Sequence, residues 1–203
     1  MSCSLLFWQL GLPKEADMFG LRKFLGSLGR GARGKEPLGK AGVQLLGAML
    51  VCYPEISTVA FEPGDGQLVL GFVVRAPLPA RPDLEKFAAF LNDSVQAYHE
   101  LEESRFVCTA IEAEAQNNTL ILRVRRALTD FMRGELELIV TLMRDRFGEQ
   151  LVVDRHSPDN LEPDFADLQS EILDQMLEHV QEIPIGEHIV GVRENDRVVI
   201  YNC

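Results

Sequence analysis

Two phosphate-binding patterns overlap in a glycine-rich stretch near the start of the chain. Residues 29–34 read Gly-Arg-Gly-Ala-Arg-Gly and match G-x-G-x-x-G, and with Lys35 they also match G-x-x-x-x-G-K. Loops of this kind aim backbone N–H groups at phosphate from the start of a helix. Here Glu36 stands where a phosphate loop needs Ser or Thr for magnesium, and Pro37 follows it. The favoured interpretation is therefore a flexible Gly-Arg linker, and we expect no cofactor.

The histidines and one loop of mixed reactive residues give no catalytic or metal-binding pattern. His99 and His179 each have glutamates close by in sequence, but no H-E-x-x-H motif or paired cysteine accompanies them. Residues 154–159 gather Asp, Arg, His and Ser without a G-x-S-x-G elbow. The sequence therefore favours exposed helix and loop residues here, with no metal ligand and no catalytic residue, and leans away from an enzyme.

Arginines concentrate in the middle of the chain, on a predicted strand that starts at Thr119. Strand alternation places Arg123 and Arg125 on one face and Leu120, Leu122 and Val124 on the other. An RNA-binding sheet would show aromatic stacking residues on the charged face, and this strand has none. Phosphate capture remains open, but a solvated face is favoured, or one covered by acids of a later helix or of a second subunit. The predicted interaction face consists of Arg123, Arg125 and Arg126.

A basic amphipathic segment precedes the linker. Apolar residues recur there at helical spacing, and no acid occurs between Met18 and Lys35. Such a segment can lie on an anionic membrane or dock onto an acidic protein surface. A loose arm that packs on its own acidic body and an organelle-targeting segment that starts at Met18 are the alternatives. The predicted docking residues are Leu21, Arg22, Lys23, Phe24, Leu25, Leu28 and Arg30.

Charge divides the chain into two parts. The 203 residues include 20 Lys and Arg against 31 Asp and Glu, a formal charge of −11. Residues 14–40 hold seven basic and three acidic side chains, or +4, which leaves −15 on residues 41–203. We therefore predict a flexible Gly/Arg-rich basic arm over residues 1–37 and one acidic domain over 38–203. An acidic body disfavours nucleic acid, because phosphate affinity comes mainly from Lys and Arg.

Hydrophobic periodicity beyond Pro37 predicts alternating helices and hairpins. The predicted elements up to residue 125 are a helix over 40–52, strands over 56–62 and 67–75, a helix over 83–102, and strands over 106–115 and 119–125. A helix capped by Thr129, a short strand over 151–154, a helix from Asp164 and a hairpin over 188–201 follow. The helix from Asp164 places Leu168, Ile172 and Met176 inward and has an acidic opposite side. The hairpin from Thr58 and the hairpin from Thr109 look alike, which indicates either an internal repeat or two hairpins that follow the same pattern.

This order of elements predicts an α+β fold, an antiparallel sheet with helices on one face. Residues 67–155 alone give the ferredoxin-like order βαββαβ. Counted from residue 40, the order is αββαββα, with residues 164–203 as a helix and hairpin extension. That order resembles the small secretion-chaperone-like folds, acidic proteins that hold other chains as dimers, and the resemblance rests on element order and acidity alone.

Together these features predict a non-catalytic protein-binding or regulatory protein, adaptor- or chaperone-like, that forms a homodimer. A small-ligand or nucleotide-binding regulatory domain is the alternative. Four scattered cysteines favour a reducing cytoplasm, with peripheral membrane contact through the arm as an option. No apolar run approaches the roughly 18 residues that a transmembrane helix needs.

Overall fold

The computed structural model describes residues 40–104, 109–153, 163–180, 188–194 and 197–202, which form four α-helices and six strands. The helices are α1 (Lys40–Cys52), α2 (Arg81–Leu101), α3 (Arg133–Phe147) and α4 (Pro163–Glu178). The strands are β1 (Thr58–Glu62), β2 (Gln67–Arg75), β3 (Ala110–Gln116), β4 (Thr119–Ala127), β5 (Ile189–Glu194) and β6 (Arg197–Asn202). The predicted α+β order αββαββα, followed by a helix and a hairpin, is confirmed.

The strands form one antiparallel sheet in the order β3-β4-β2-β1-β5-β6. Only part of it is ferredoxin-like: β2, α2 and β3 make a split β-α-β unit with β4 between the two strands. The predicted strand over 151–154 is reduced to one bridge between Leu151 and Val74. The reason is that β1 pairs with residues 67–71 of β2 and so occupies most of the edge that this strand would need.

The four helices lie on one side of the sheet, as expected, and the main core fills the space between. α1 packs on β1, β5 and β6, and it approaches β5 closely because a Cβ at Gly191 would lie 2.8 Å from Cδ1 of Leu50. α4 packs on α1 and α3, so it forms a third layer. Leu173 and Leu177 are buried in the described part of α4, as is Val180 just beyond its end. The predicted inward residue Leu168 is 51% exposed, because the buried stripe of α4 is rotated away from it.

The start of α3 also differs from the prediction. Thr129 does not cap this helix, since it lies within a 3₁₀ turn over Leu128–Asp130. α3 begins at Arg133 after Met132, whose backbone is extended and whose side chain makes no capping hydrogen bond. Thr129 is in the middle of the 3₁₀ turn, and the α-helix begins only at Arg133.

Two ββα units repeat in this fold with a constant spacing. β1 and β3 begin at Thr58 and Ala110, β2 and β4 at Gln67 and Thr119, and α2 and α3 at Arg81 and Arg133, each pair 52 residues apart. The buried helix residues follow the same spacing: Leu84, Phe87, Ala88, Leu91 and Val95 in α2, and Leu136, Ile139, Val140, Met143 and Phe147 in α3. Gly71 of β2 pairs with Arg123 of β4, also 52 residues on, so an approximate two-fold axis passes through this pair. This geometry supports the internal-repeat alternative.

Among the described residues, no helix combines the length and the apolar character that crossing a membrane would require.

Candidate functional site

The side of the sheet that points away from the four helices, here called the outer face, carries two strips of different chemistry. The ionic strip lies on β3 and β4, with one member on β1. Its residues are Arg123, Arg125, Glu62, Glu112 and Glu114. Arg125 Nε donates to Glu112 Oε1 at 2.7 Å, and Arg125 Nη1 donates to Glu62 Oε2 at 2.6 Å. Arg123 Nη1 donates to Glu114 Oε2 at 2.9 Å.

These ion pairs change what the arginines can do. Burial alone would raise the pKa of the Glu114 carboxyl, but hydrogen bonds from Gln116 and Arg123 outweigh it and leave this pKa lowered. Burial likewise opposes the charge of Arg125, and the bonds to Glu62 and Glu112 outweigh it, so its pKa is raised. The guanidinium groups therefore bind carboxylates of their own chain. This pairing weakens the phosphate-capture alternative, because a phosphate would have to compete with those carboxylates.

The apolar strip crosses the neighbouring strands β2, β1, β5 and β6. It consists of Ala60, Val69, Val190 and Val192, against which Tyr201 packs. The hydroxyl of Tyr201 donates to Glu194 Oε2 at 3.2 Å, and partial desolvation together with this carboxylate raises the pKa of Tyr201. A strip of this kind can bind apolar side chains, with a carboxylate at each end, Glu62 beyond Ala60 and Glu194 beyond Val192.

The apolar strip is buried although the described helices all lie on the opposite side of the sheet. Val190 is 1% exposed, Val69 6% and Val192 7%. A valine on a bare sheet face keeps much of its side chain in water, since its neighbours flank it without covering it. The described helices, which pack on the other side of the sheet, do not account for this burial.

Comparison of the two ββα units shows that they differ mainly on the outer face. Their inward strand residues are apolar in both units, apart from Arg126. On the outer face Ala60 corresponds to Glu112, Gly71 to Arg123 and Val73 to Arg125. The first unit thus contributes Ala60 and Val69 to the apolar strip, and the second unit contributes most of the ionic strip. The two units therefore differ in sequence on the outer face, the side of the sheet on which no described helix packs.

Arg126, predicted as part of the interaction face, lies on the other side of the sheet. Strand alternation turns it toward the helices, where it is 1% exposed. Its Nε donates to Glu135 Oε1, and its Nη2 donates to Glu135 Oε2 at 3.2 Å. Nε2 of His99 lies 2.9 Å from the same Oε2, and Nδ1 of His99 lies 2.7 Å from Oγ of Ser104. Sequence reasoning missed this network, and its expectation of an exposed His99 is wrong, because the fold buries that side chain between α2, β4 and α3. The alternation that placed Arg123 and Arg125 outward already placed Arg126 inward.

The network has the group types of a hydroxyl–imidazole–carboxylate triad, but its setting is that of a structural cluster. The side chains of His99, Arg126 and Glu135 have no accessible surface beside the ion pairs that they form. Arg126 neutralises the carboxylate that would have to stabilise a charged imidazole. Ser104 closes the end of α2, where its backbone N–H donates to the carbonyl of His99 at 2.9 Å. The cluster joins α2, β4 and α3, and a substrate could not reach it.

A second polar cluster joins α1, α3 and α4 around Arg133. Its Nε donates to Glu137 Oε1 at 3.1 Å, its Nη1 lies 3.3 Å from Asp174 Oδ1, and its guanidinium lies over the ring of Tyr53. Cys52 is adjacent and half-buried, and burial raises the pKa of its thiol despite the nearby Arg133. A raised pKa leaves less thiolate at neutral pH, so Cys52 lacks the property of a reactive cysteine.

Several residues that the sequence singled out are either outside the described residues or take no part in a site. The predicted docking residues 21–30 and the glycine motif over 29–34 are outside the described residues, as is the loop over 154–159. His179 is exposed and bonds the carbonyl of Gln175. In the described parts of the chain, no three His, Cys, Asp or Glu side chains gather as metal ligands would.

The exposed acids of α4, Asp167, Glu171, Asp174 and Glu178, lie in the third layer. The other helices and the sheet therefore lie between these acids and the arginines on the outer face of the same chain.

Comparison of the chain with protein-family models, with curated proteins and with solved structures finds no match.

Proposed function

We propose that this protein is a non-catalytic protein-binding module, adaptor- or chaperone-like, and that it binds a basic amphipathic polypeptide segment on the outer face of its sheet. The observation that carries the proposal is the burial of the apolar strip, with Val190 at 1% exposure, on the side of the sheet where no described helix packs. Burial of apolar area supplies affinity in such contacts, at about 25 cal/mol per Å².

The charge of the domain supports a basic partner. Residues 41–203 carry a formal charge of −15, so they attract a basic segment from a distance and raise its rate of association. Glu194, which accepts a hydrogen bond from the neutral hydroxyl of Tyr201, puts a carboxylate beside the apolar strip, where a flanking Lys or Arg of a bound segment would lie. Apolar contact in the centre and charged contact at the rim is the usual anatomy of a protein interface.

The chemistry of the two polar clusters supports a non-catalytic role. The His99 network is sealed and internally neutralised, and the pKa of the Cys52 thiol is raised instead of lowered. Each cluster joins separate elements of secondary structure, which is a stabilising role. Neither offers a nucleophile or a base to a substrate.

Binding of a labelled peptide with a helical repeat of leucine and lysine tests the proposal. Val199 pairs with Val192 at the margin of the strip and is only partly buried, so Val199→Asp places a desolvated carboxylate against bound apolar side chains without disturbing the core. We expect the dissociation constant to rise by about tenfold or more. Val153→Asp is the matched control, because Val153 is exposed and outside the strip. Equal binding by both variants, or equal binding of a scrambled peptide, would refute the proposal.

The homodimer remains a prediction on a weaker basis. It relied on contact between the acidic side of α4 and the arginines of the outer face, and those arginines already bind Glu62, Glu112 and Glu114. Light scattering at tens of micromolar distinguishes a dimer from a monomer. The nucleotide-binding alternative predicts a rise in melting temperature with nucleotide that is lost in Arg123→Ala, because a ligand of the folded state stabilises it by mass action.

A further inference from the structure

We propose that the apolar strip is covered by the protein's own N-terminal arm, through residues 18–30, so that the arm and an external partner compete for the outer face. The proposal rests on the proposed function, because it names a second occupant of the same surface. The described helices cannot cover the strip, since they pack on the opposite side of the sheet. Ala60, Val69, Val190 and Val192 are nevertheless less than a tenth exposed.

The arm has the chemistry that the strip selects. Leu21, Leu25 and Leu28 recur at helical spacing, and Arg22 and Lys23 stand beside them without a compensating acid. A helix over residues 18–28 would be about 16 Å long at 1.5 Å per residue. Four strands at a spacing of about 4.8 Å put the margins of the apolar strip about 14 Å apart. The apolar stripe of the arm therefore matches the width of the strip.

The helix that follows the arm in sequence packs on the strands that carry the strip. α1 begins at Lys40 and packs on β1, β5 and β6, which carry most of the strip on their other side. Residues 31–39 can span about 30 Å when extended. That length is sufficient to pass around the β6 edge of the sheet from the helical side to the outer face.

A tethered arm makes the outer face selective. A segment attached by a short linker has an effective concentration near the millimolar range, so it excludes weak ligands and is displaced by tight ones. The glycines at 20, 26 and 29 reduce the helix stability of the arm, which keeps its own affinity modest. The arm would thus protect the apolar strip when no partner is bound and raise the affinity that a partner needs.

Zero-length carbodiimide cross-linking of the full chain, followed by mass spectrometry, tests the position of the arm. Lys23 is the one lysine within residues 18–30. We expect it to form amide links with Glu62 or Glu194, and these links should be lost in Leu25→Asp/Leu28→Asp. They should persist in Gly20→Asp/Ser27→Asp, which adds the same charge beside the apolar stripe. Links that favour Asp167 and Glu171 on α4, or links that both variants retain equally, would overturn the proposal.

The same experiment distinguishes the other occupants. In a mixture of ¹⁵N-labelled and unlabelled chains, links within one chain support the proposal, and links between chains overturn it in favour of a second copy. Two results together would overturn the proposal in favour of a membrane-binding arm: the Lys23 links are lost when anionic vesicles are added, and the same links are retained in Val199→Asp.

A peptide of residues 18–30, added in trans, separates failure of this inference from failure of the proposed function. We expect Leu25→Asp/Leu28→Asp to bind the labelled peptide about tenfold or more tightly than the wild-type chain, because the tethered competitor has been disabled. Equal binding by the two chains would overturn the arm as the cover and leave the outer face as a binding surface. Binding by neither chain would overturn both proposals.

Discussion

Replacing Glu135 with glutamine is expected to destabilise the domain severely, because it leaves the guanidinium of Arg126 charged, buried and without its anion. Both side chains have no accessible surface, and Arg126 reaches both carboxylate oxygens of Glu135. Removal of one partner from a buried ion pair costs about 3–5 kcal/mol. For a domain of this size we expect the melting temperature to fall by about 6–20 °C.

A double-mutant cycle shows whether this cost comes from the orphaned charge. Arg126→Met alone leaves the carboxylate of Glu135 buried without its arginine, so it should also cost about 3–5 kcal/mol. The double variant buries no unpaired charge at these positions, and its loss should be smaller than the sum of the single losses by about 2 kcal/mol or more. Urea unfolding followed by circular dichroism supplies each free energy of unfolding, with the two-state assumption checked by a second probe.

The repeat provides a matched control on the surface. Arg81 and Glu85 form an ion pair across one helical turn in α2, at the positions that correspond to Arg133 and Glu137 in α3. Both side chains of the α2 pair are about half exposed, so Glu85→Gln should cost no more than about 0.5 kcal/mol. A loss below about 1 kcal/mol for Glu135→Gln, or additive losses in the cycle, would refute the reasoning.

Three further outcomes follow from single contacts. Gly191→Val should cost about 1–3 kcal/mol in urea unfolding, because its Cβ would lie 2.8 Å from a leucine of α1, whereas Gly64→Ala has open space around it and should cost under about 1 kcal/mol. Burial raises the pKa of Tyr53 well above its usual range despite a nearby arginine, so the folded state holds its proton longer than the unfolded state. The contribution of Tyr53 to the free energy of unfolding is fully present below the unfolded pKa of about 10 and is lost as the pH rises above it. Tyr53→Phe should therefore lose less stability than the wild type between pH ~8 and ~11. Arg123→Gln should raise the pKa of the Glu114 carboxyl, measured by NMR titration, while stability at neutral pH changes by less than about 1 kcal/mol because the pair is partly exposed. An unchanged titration of Glu114 would show that Arg123 does not hold its charge.

Local patterns predicted most of the secondary structure because each element is short and its burial is periodic. The apolar spacing of residues 40–52 and 67–75 predicted α1 and β2 with the bounds that the structure has. Asn117, in the turn between β3 and β4, has a positive φ of +51°, a conformation that asparagine tolerates better than most residues. The predictions of a helix cap at Thr129 and of a strand over 151–154 were wrong for a different reason. A local signal for a cap or a strand was overridden by a 3₁₀ turn and by the pairing of β1 with β2.

The sequence by itself determined the fold class, the contrast between a charge of +4 over residues 14–40 and −15 over residues 41–203, and the outward position of Arg123 and Arg125. These follow from composition and from periods of two and 3.6 residues, which act within one element at a time. Only the tertiary structure brought Arg126 to Glu135 and His99, from positions 9 and 36 residues apart along the chain. It also placed β5 beside β1, which assembles the apolar strip, and it put the acids of α4 in a layer remote from the outer face. Contacts between distant segments depend on strand order and helix packing, and periodicity within a segment does not specify either.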